Sequence, residues 1–463
     1  MSLHDKLVDA AESLFVATHP AVLEKLKGIE GPTPTFPAGT LLDFVGKKPW
    51  DVLLGYAETH GAMVLLWALG DPVIVPTAPA LTEAVLVSRV GDFYKKSPVR
   101  ALTPLLTEVE PFLANLPEWQ RIVAASLFRL PGFDAWVAAQ APVLADSARH
   151  AFSALPEGQT HDALQAVRRA AFDAFSHMAV GRALDDDAWE RFQRMAAEGD
   201  ERMSAPVLLS EESFDLGFRV ARSGFWRVFL DAIADARAHD DPARVDALAF
   251  ALRAGTTLSD DQLAAALANL YFSGLFSSSS ALLSALYHLT EDRPLRDALA
   301  AELRAAVTGG FTAEALASVP TLERVIRESL RLHPPVPIYM RNSAADREVE
   351  LGGHLLPPDT TIYLSNYAVH RNSAYWSDPH TFLPSRWDAA TLAANPYGSG
   401  RFWPFGRGPR ACIGQEVALV FLRATLAVAA LEHALEVGKG QPYEGKAFFA
   451  CMSAEGLGLT VRT

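Results

Sequence analysis

The chain has 463 residues, of which 50% are hydrophobic and 21% are charged, and this balance supplies a large buried core and argues against a disordered protein. Its formal net charge of −13 at pH 7 repels phosphate and so opposes binding to nucleic acid or anionic lipid. Two cysteines are too few for a disulfide framework, and their number is typical of a reducing compartment, which predicts a cytoplasmic protein.

The amino-terminal residues 1–15 combine apolar side chains with three acidic ones, so they lack the uninterrupted apolar core of a signal peptide or membrane anchor. They are typical of an amphipathic helix on the surface. The Pro- and Gly-rich segment 31–39 predicts an extended linker. Between residues 62 and 76, two apolar runs flank a Gly-Asp-Pro turn, and this pattern predicts a β-hairpin.

From Pro79 onward the chain is rich in Ala and Leu and has short turns, which predicts helices through the middle of the sequence. The most apolar stretch, residues 263–289, contains an asparagine, several serines and a histidine, so it predicts a buried helix rather than a membrane span. Strand patterns return in residues 348–365 and 448–461. A sheet that joins strands from both ends is expected, and residues 1–463 are predicted to form one mainly α domain with small β-sheets.

The strongest chemical signal lies in a Gly- and Pro-rich loop that ends near Cys412 and precedes an apolar helix. The unpaired N–H groups and the positive dipole end at a helix start favour an anionic sulfur, and Arg410 adds a positive charge nearby. Cys412 is therefore expected to be a thiolate. Gly408 and Gly414 allow the backbone to approach a flat, bulky partner, while Phe405 can shield the sulfur from water.

This loop resembles the haem-binding loop of the cytochrome P-450 family. The matching positions are Phe405, Gly408, Arg410, Cys412 and Gly414. The resemblance implies a cytochrome P-450 fold, haem b (iron protoporphyrin IX) as the cofactor, Cys412 as the metal ligand and a contact between Arg410 and a haem propionate. The other cysteine, Cys451, lacks such surroundings and is expected to pack in the core.

Two further motifs upstream resemble the same family. Glu328 and Arg331 match its Glu-x-x-Arg helix, and Arg386 matches the third partner of that pair. A buried carboxylate between two guanidinium groups satisfies its lone pairs, whereas each of the three groups would be costly to bury alone. We therefore expect a structural clamp. Without the cysteine loop downstream, Glu328 and Arg331 would be an ordinary surface pair three residues apart.

Two other positions resemble family positions that face the haem propionates. Arg341 matches the first, although an arginine near a strand start is also typical of a solvated ion pair. Trp119 resembles the second, but four residues later the chain has Val123, where the family commonly has Arg or His. Arg121 and Arg129 are candidate substitutes. Trp119 is equally typical of core packing.

The chain departs from the family on the long central helix, where most members carry Ala/Gly-Gly-x-Asp/Glu-Thr and the acid and alcohol relay protons during oxygen activation. Aligned at Gly274, this chain has Phe276 at the acid position and Ser277 at the alcohol position. Phenylalanine cannot transfer a proton, so this route is interrupted unless water or substrate replaces it, although Ser277 retains one hydroxyl donor. Alternatively, the serines from Ser277 to Ser280 form a helix-packing face of small residues.

The resemblance implies a haem-thiolate oxidoreductase of the monooxygenase type that oxidises a small, mostly apolar organic molecule. Its electrons would come from a separate ferredoxin- or flavodoxin-type donor that docks where Arg401, Arg407 and Arg410 are concentrated. The first alternative, favoured by Phe276, is peroxide-driven oxidation, or rearrangement or dehydration of a hydroperoxide, because these reactions need no proton relay. The second alternative is a non-catalytic haem-based sensor or binding protein.

Overall fold

The structure, a computed structural model, describes residues 20–35, 38–95, 114–115, 118–204, 216–239, 241–448 and 451–462. The amphipathic helix predicted for residues 1–15 lies outside these described residues, as does the middle of the linker at 31–39.

The described chain is mainly α-helical with small β-sheets, which confirms the predicted fold class. The helices are α1 (Pro20–Lys25), α2 (Pro49–Thr59), α3 (Pro79–Glu83), α4 (Glu118–Ala125), α5 (Phe133–Ala139), α6 (Ala141–Ser153), α7 (Ala163–Val180), α8 (Asp186–Ser204), α9 (Leu216–Ala238), α10 (Ala247–Arg253), α11 (Asp260–Asn269), α12 (Phe276–Glu291), α13 (Arg293–Ala306), α14 (Ala313–Ala317), α15 (Pro320–Leu332), α16 (Asn366–Arg371), α17 (Ala389–Ala394) and α18 (Gln415–Glu432). The strands are β1 (Met63–Ala68), β2 (Asp71–Pro76), β3 (Phe93–Tyr94), β4 (Thr160–Asp162), β5 (Tyr339–Ser343), β6 (Val349–Leu351), β7 (His354–Leu356), β8 (Thr361–Leu364), β9 (Ala434–Val437), β10 (Gly445–Phe448), β11 (Cys451–Ala454) and β12 (Gly458–Arg462).

The chain divides into two compact units, and the prediction of one domain over residues 1–463 stays a prediction. The first unit comprises Met1–Lys96, Val336–Thr381 and Asp388–Cys412, and the second comprises Ser97–Pro335, Phe382–Trp387 and Ile413–Thr463.

The first unit contains a five-stranded sheet in the order β1-β2-β8-β5-β3. Strands β1 and β2 form an antiparallel hairpin, as the sequence pattern predicts. Strand β2 pairs in parallel with β8, so the expected sheet between early and late parts of the chain is also confirmed. Side chains alternate along β1 with the period of two expected for a strand. Leu65 and Trp67 pack into one apolar cluster, while Val64 and Leu66 pack into another on the opposite face.

The second unit holds most of the helices and a small sheet in the order β4-β12-β9. Its core is rich in aromatic side chains, and the ring of Phe192 contacts those of Phe172, Tyr271 and Phe276. Helix α18, which follows the cysteine loop, packs against α6. Within the ranges that the structure describes, no helix is long and apolar enough to cross a membrane.

The apolar stretch at residues 263–289 is largely buried, as predicted, but it is not one regular α-helix. Helix α11 begins with a capping box in which the Ser259 and Gln262 side chains each bond the other's backbone N–H. A π-helical turn, Leu270–Leu275, then separates α11 from α12. Such turns widen a helix locally and are frequent at functional sites.

Candidate functional site

The cysteine loop in the first unit is fixed by hydrogen bonds within that unit. Cys412 donates its backbone N–H to the carbonyl of Phe405 at 2.8 Å, and Gly406 donates to the carbonyl of Trp403 at 3.0 Å. The hydroxyl of Tyr339 donates to the carbonyl of Pro404 at 3.2 Å. Cys412 itself is exposed, so a group bound from outside the loop can reach its thiol.

Two glycines of the loop have different structural roles. Gly408 has a φ of 67°, a conformation that favours glycine, and a Cβ added there would lie 2.3 Å from the carbonyl oxygen of Leu86. The backbone of Gly408 therefore lies close to the backbone of Leu86. A close approach of Gly408 to a bound cofactor stays a prediction. Gly414 has a φ of −93° and precedes the first turn of α18. Phe405 is half-buried, and its shielding of the sulfur also stays a prediction.

Two arginines of the first unit, one buried and one half-buried, form a concentration of positive charge. Arg341 is 5% exposed, and its Nε has no hydrogen-bond partner in the parts of the chain that the structure describes. Burial lowers the pKa of Arg341 to about 10. Burial, and then the charge of Arg341, lowers the pKa of Arg410 to about 10 as well. Two like charges held together in this way create a strong site for carboxylates, so these residues fit a dianionic group such as haem b.

The predicted clamp in the second unit is confirmed and is larger than expected. The carboxylate of Glu328 accepts hydrogen bonds from both Nε and Nη2 of Arg331 and from Nε of Arg386, all at 2.9 Å. It also accepts from the backbone N–H of Leu383 and from the indole N–H of Trp387, again at 2.9 Å. Glu328 and Arg331 are fully buried. Five donors therefore satisfy one buried carboxylate.

The sequence motif identifies only the charged members of this clamp. Trp387 directly follows Arg386, and its indole is fully buried. A buried indole N–H needs an acceptor. A search for acceptors of the Trp387 N–H would therefore have pointed to the carboxylate of Glu328. The backbone N–H of Leu383 leaves no such signal in the sequence.

The central helix of the second unit places the three predicted residues in different surroundings. Ser277 is half-buried, and its hydroxyl donates to the carbonyls of Ser273 at 3.1 Å and Gly274 at 3.3 Å. A Cβ added at Gly274 would lie 3.0 Å from the ring of Phe175, so the glycine leaves room for that ring. Phe276 is 3% exposed and packs in the core.

The ring of Phe276 is held on two sides. It stacks on Phe192 with ring centroids 5.5 Å apart, and the guanidinium carbon of Arg168 lies 5.4 Å from its centroid. Residues Ser278, Ser279 and Ser280 are buried, as expected for a packing face of small side chains, whereas Ser277 is not fully buried. The catalytic role of Ser277 therefore stays a prediction.

Trp119 lies in the first turn of α4 and is half-buried. Val123 is 3% exposed and packs in the core. The two candidate substitutes, Arg121 and Arg129, are exposed, and Arg121 lies 3.7 Å from the carboxylate of Glu118. A propionate contact at Trp119 stays a prediction.

Comparisons with known proteins show what this chain is similar to. The family model described as Cytochrome P450 matches residues 29–442. Sterol 26-hydroxylase of Homo sapiens is 31% identical over 231 residues, covering 44% of this chain and 42% of the relative. Cyclooctatin synthase of Streptomyces melanosporofaciens is 36% identical over 207 residues, covering 43% of each. The matched region thus spans less than half the length of these curated relatives.

Among solved structures, the fold is similar to that of the cytochrome P450DA heme domain, with a TM-score of 0.76. The sequence identity is 21%, and the match covers 94% of this chain and 97% of that one. At this identity the likeness shows the fold alone.

Proposed function

This chain belongs to the cytochrome P450 family of haem-dependent oxidoreductases, and on that premise we propose that it is a haem-thiolate monooxygenase. The proposed substrate is a small, mostly apolar organic molecule. The proposed electron donor is a separate ferredoxin- or flavodoxin-type protein. The name of one relative, sterol 26-hydroxylase, supports an apolar substrate and a hydroxylation. A cytoplasmic location is part of the proposal and is supported by the low cysteine count.

Haem b, when held by a thiolate, supplies an iron centre whose ligand donates electron density and favours cleavage of an oxygen–oxygen bond. The residues of this chain bind and orient that group. Cys412 provides the thiolate from a loop that its own backbone hydrogen bonds hold in place. Arg341 and Arg410 provide the cations for the two propionates.

The observation that carries the proposal is a buried arginine, Arg341, and a half-buried one, Arg410, in the same unit as an exposed cysteine. Burying the charge of Arg341 is costly unless an anion compensates it. The pair is understandable if the protein binds a ligand with two carboxylates beside the thiol. Haem b has both the carboxylates and a metal that takes a thiolate.

The two cysteines of the chain allow a matched test of which residue binds the haem iron. The reduced protein with carbon monoxide should show the absorption band diagnostic of thiolate-ligated haem. Cys412→Ala should abolish that band, whereas Cys451→Ala should keep it, because Cys451 is buried and its pKa is raised to about 12 by burial. A Cys412→Ala protein that retains the band would rule out this ligand.

Peroxide-driven chemistry is the second candidate, and the central helix favours it. Phe276 occupies the acid position of the family motif, and its ring lies in the core. The Ser277 hydroxyl donates to the carbonyls of Ser273 and Gly274. Neither side chain is arranged to pass a proton onward. Added peroxide, or a hydroperoxide substrate, needs fewer protons from the protein.

Turnover of one binding substrate, first with a reductase system and then with peroxide, separates the candidates. Tight coupling of product to reductant supports the monooxygenase. Product with peroxide alone supports the second candidate. Substrate binding without turnover under either oxidant would instead indicate a haem-based sensor or binding protein.

A further inference from the structure

The first unit contains a fully buried imidazole that hydrogen-bonds the cysteine loop. His370 lies in α16 and is 0% exposed. Its Nε2 accepts the backbone N–H of Trp403 at 3.0 Å. An imidazole nitrogen can accept only when it carries no proton, so this contact requires the tautomer that is protonated on Nδ1.

Two hydrogen bonds connect this contact to Cys412. The carbonyl of Trp403 accepts the N–H of Gly406 at 3.0 Å and so closes a turn over residues 403–406. Gly406 has a φ of 73°, which a glycine adopts without strain. Phe405, inside that turn, accepts the N–H of Cys412 at 2.8 Å. The position of the Trp403 peptide therefore determines where the acceptor for the Cys412 backbone lies.

Loss of the His370 acceptor would remove the observed partner of a buried N–H. Trp403 is 0% exposed, so its N–H cannot turn to water, and a buried donor without an acceptor forces the backbone to move. The nearby turn is the part of the loop that leads to Phe405 and then to Cys412. Movement there would displace the Phe405 carbonyl, which accepts the backbone N–H of Cys412.

We propose that His370 is a positioning residue that holds the Cys412 loop in the conformation needed for thiolate ligation. This role rests on the proposed function, in which Cys412 binds the haem iron. His370 does not itself touch the haem iron or the substrate; it acts through the peptide of Trp403.

Packing is the competing explanation, because the His370 ring also lies 5.3 Å from the ring of Phe402 and 6.2 Å from that of Trp403. Two substitutions separate packing from hydrogen bonding. His370→Gln keeps an acceptor at about the position of Nε2, whereas His370→Leu keeps apolar volume and removes the acceptor. The readout is the reduced carbon monoxide complex of the holoprotein, in which thiolate-ligated and thiol-ligated haem absorb at different wavelengths.

His370→Leu should lower the ratio of thiolate-ligated to thiol-ligated haem by roughly fivefold to tenfold. His370→Gln should restore most of that ratio, and the midpoint potential of the iron should rise in the Leu variant alone, because a neutral thiol donates less charge. Ser399→Ala is the matched control. It removes the side-chain acceptor of the neighbouring Phe402 N–H (3.1 Å) and should leave the ratio close to wild type.

Three results would overturn the role. These are equal ratios in the Leu and wild-type proteins, failure of Gln to restore a ratio that Leu lowers, or an equally large loss in Ser399→Ala. A wild-type protein that shows no thiolate band would instead contradict the proposed function, so the two failures are distinguishable.

Discussion

At the scale of single residues, Glu328 accepts from five N–H donors, and three of them belong to the guanidinium groups of Arg331 and Arg386. Glu328→Ala leaves Arg331 and Arg386 as uncompensated buried charges, so we expect a loss of about 3–5 kcal/mol in the free energy of unfolding and poor haem retention. Urea unfolding of the purified protein measures the first, and the haem content per chain measures the second.

Glu323 provides the control for this substitution. It lies in the same helix and also pairs with two arginines, Arg327 at 2.7 Å and Arg423 at 2.9 Å, but all three side chains are 11–19% exposed. Water can solvate the arginines that lose their partner there, so Glu323→Ala should lower the free energy of unfolding by only about 1 kcal/mol. Equal unfolding curves for Glu328→Ala and wild type would contradict the structural role of the clamp.

Replacing Arg341 should have opposite effects on the stability of the haem-free protein and on haem binding. Arg341→Met removes one of two like charges and keeps the apolar stem, so the haem-free protein should be as stable as wild type or more stable by on the order of 1 kcal/mol. Haem affinity should fall roughly tenfold or more, because the proposed charge-assisted contact to a propionate is lost. Unfolding of the haem-free protein and haem titration check the two effects. A large loss of haem-free stability would show that Arg341 has a structural partner instead.

At the scale of elements, one prediction concerns the central helix, where Phe276 and Ser277 occupy the acid and alcohol positions of the family motif. The double change Phe276→Asp with Ser277→Thr restores the acid and alcohol of the family motif. Arg168 lies 5.4 Å from the Phe276 ring centroid, so a new carboxylate would have a cation beside it. We expect more product per reductant consumed, relative to peroxide-driven product, in the double variant than in wild type.

The single change Phe276→Ala is the control, because it opens the same volume without an acid. Product per reductant and product per peroxide are measured for all three proteins. If the wild type already couples tightly with a substrate that has no ionisable or hydroxyl group, ordered water and Ser277 carry the protons and the double change is expected to add nothing.

Sequence patterns predict a contact well when its residues lie close together in the chain. Glu328 and Arg331 are three residues apart on one helix, so their pairing follows from helical geometry. The bond from Trp403 to His370 joins residues 33 positions apart and leaves no local pattern. The π-helical turn at Leu270–Leu275 is also missed, because one widened turn changes neither composition nor apolar spacing enough to detect. The core position of Phe276 depends on Phe192, which another helix supplies.

At the scale of the whole molecule, ion pairs make the free energy of unfolding depend on pH in the acid range. Burial by itself raises the pKa of Glu323, but Arg423 and Arg327 outweigh it and lower that pKa below its ordinary value. Arg149 likewise lowers the pKa of Glu432. A carboxyl with a lowered folded-state pKa contributes stability above its ordinary pKa of about 4, and that stability is lost as the pH falls through the folded-state value.

The free energy of unfolding should therefore decrease as the pH is lowered below about 4.5, and it should decrease less steeply in Glu323→Gln, which has no proton to bind there. Urea unfolding at a series of pH values measures both slopes. Identical slopes in the two proteins would mean that Glu323 titrates at its ordinary pKa in the folded state.

The parallel pairing of β2 with β8 also constrains how the protein is made. Val73 pairs with Thr361, so the edge of the early hairpin has no partner until most of the chain has left the ribosome. At translation rates of about 5–20 residues per second, that wait is on the order of 15–60 seconds. An unpaired apolar strand edge is a template for aggregation during this interval. The yield of soluble protein should then depend on the supply of nascent-chain chaperones at a given growth temperature, even for variants whose finished fold is as stable as wild type.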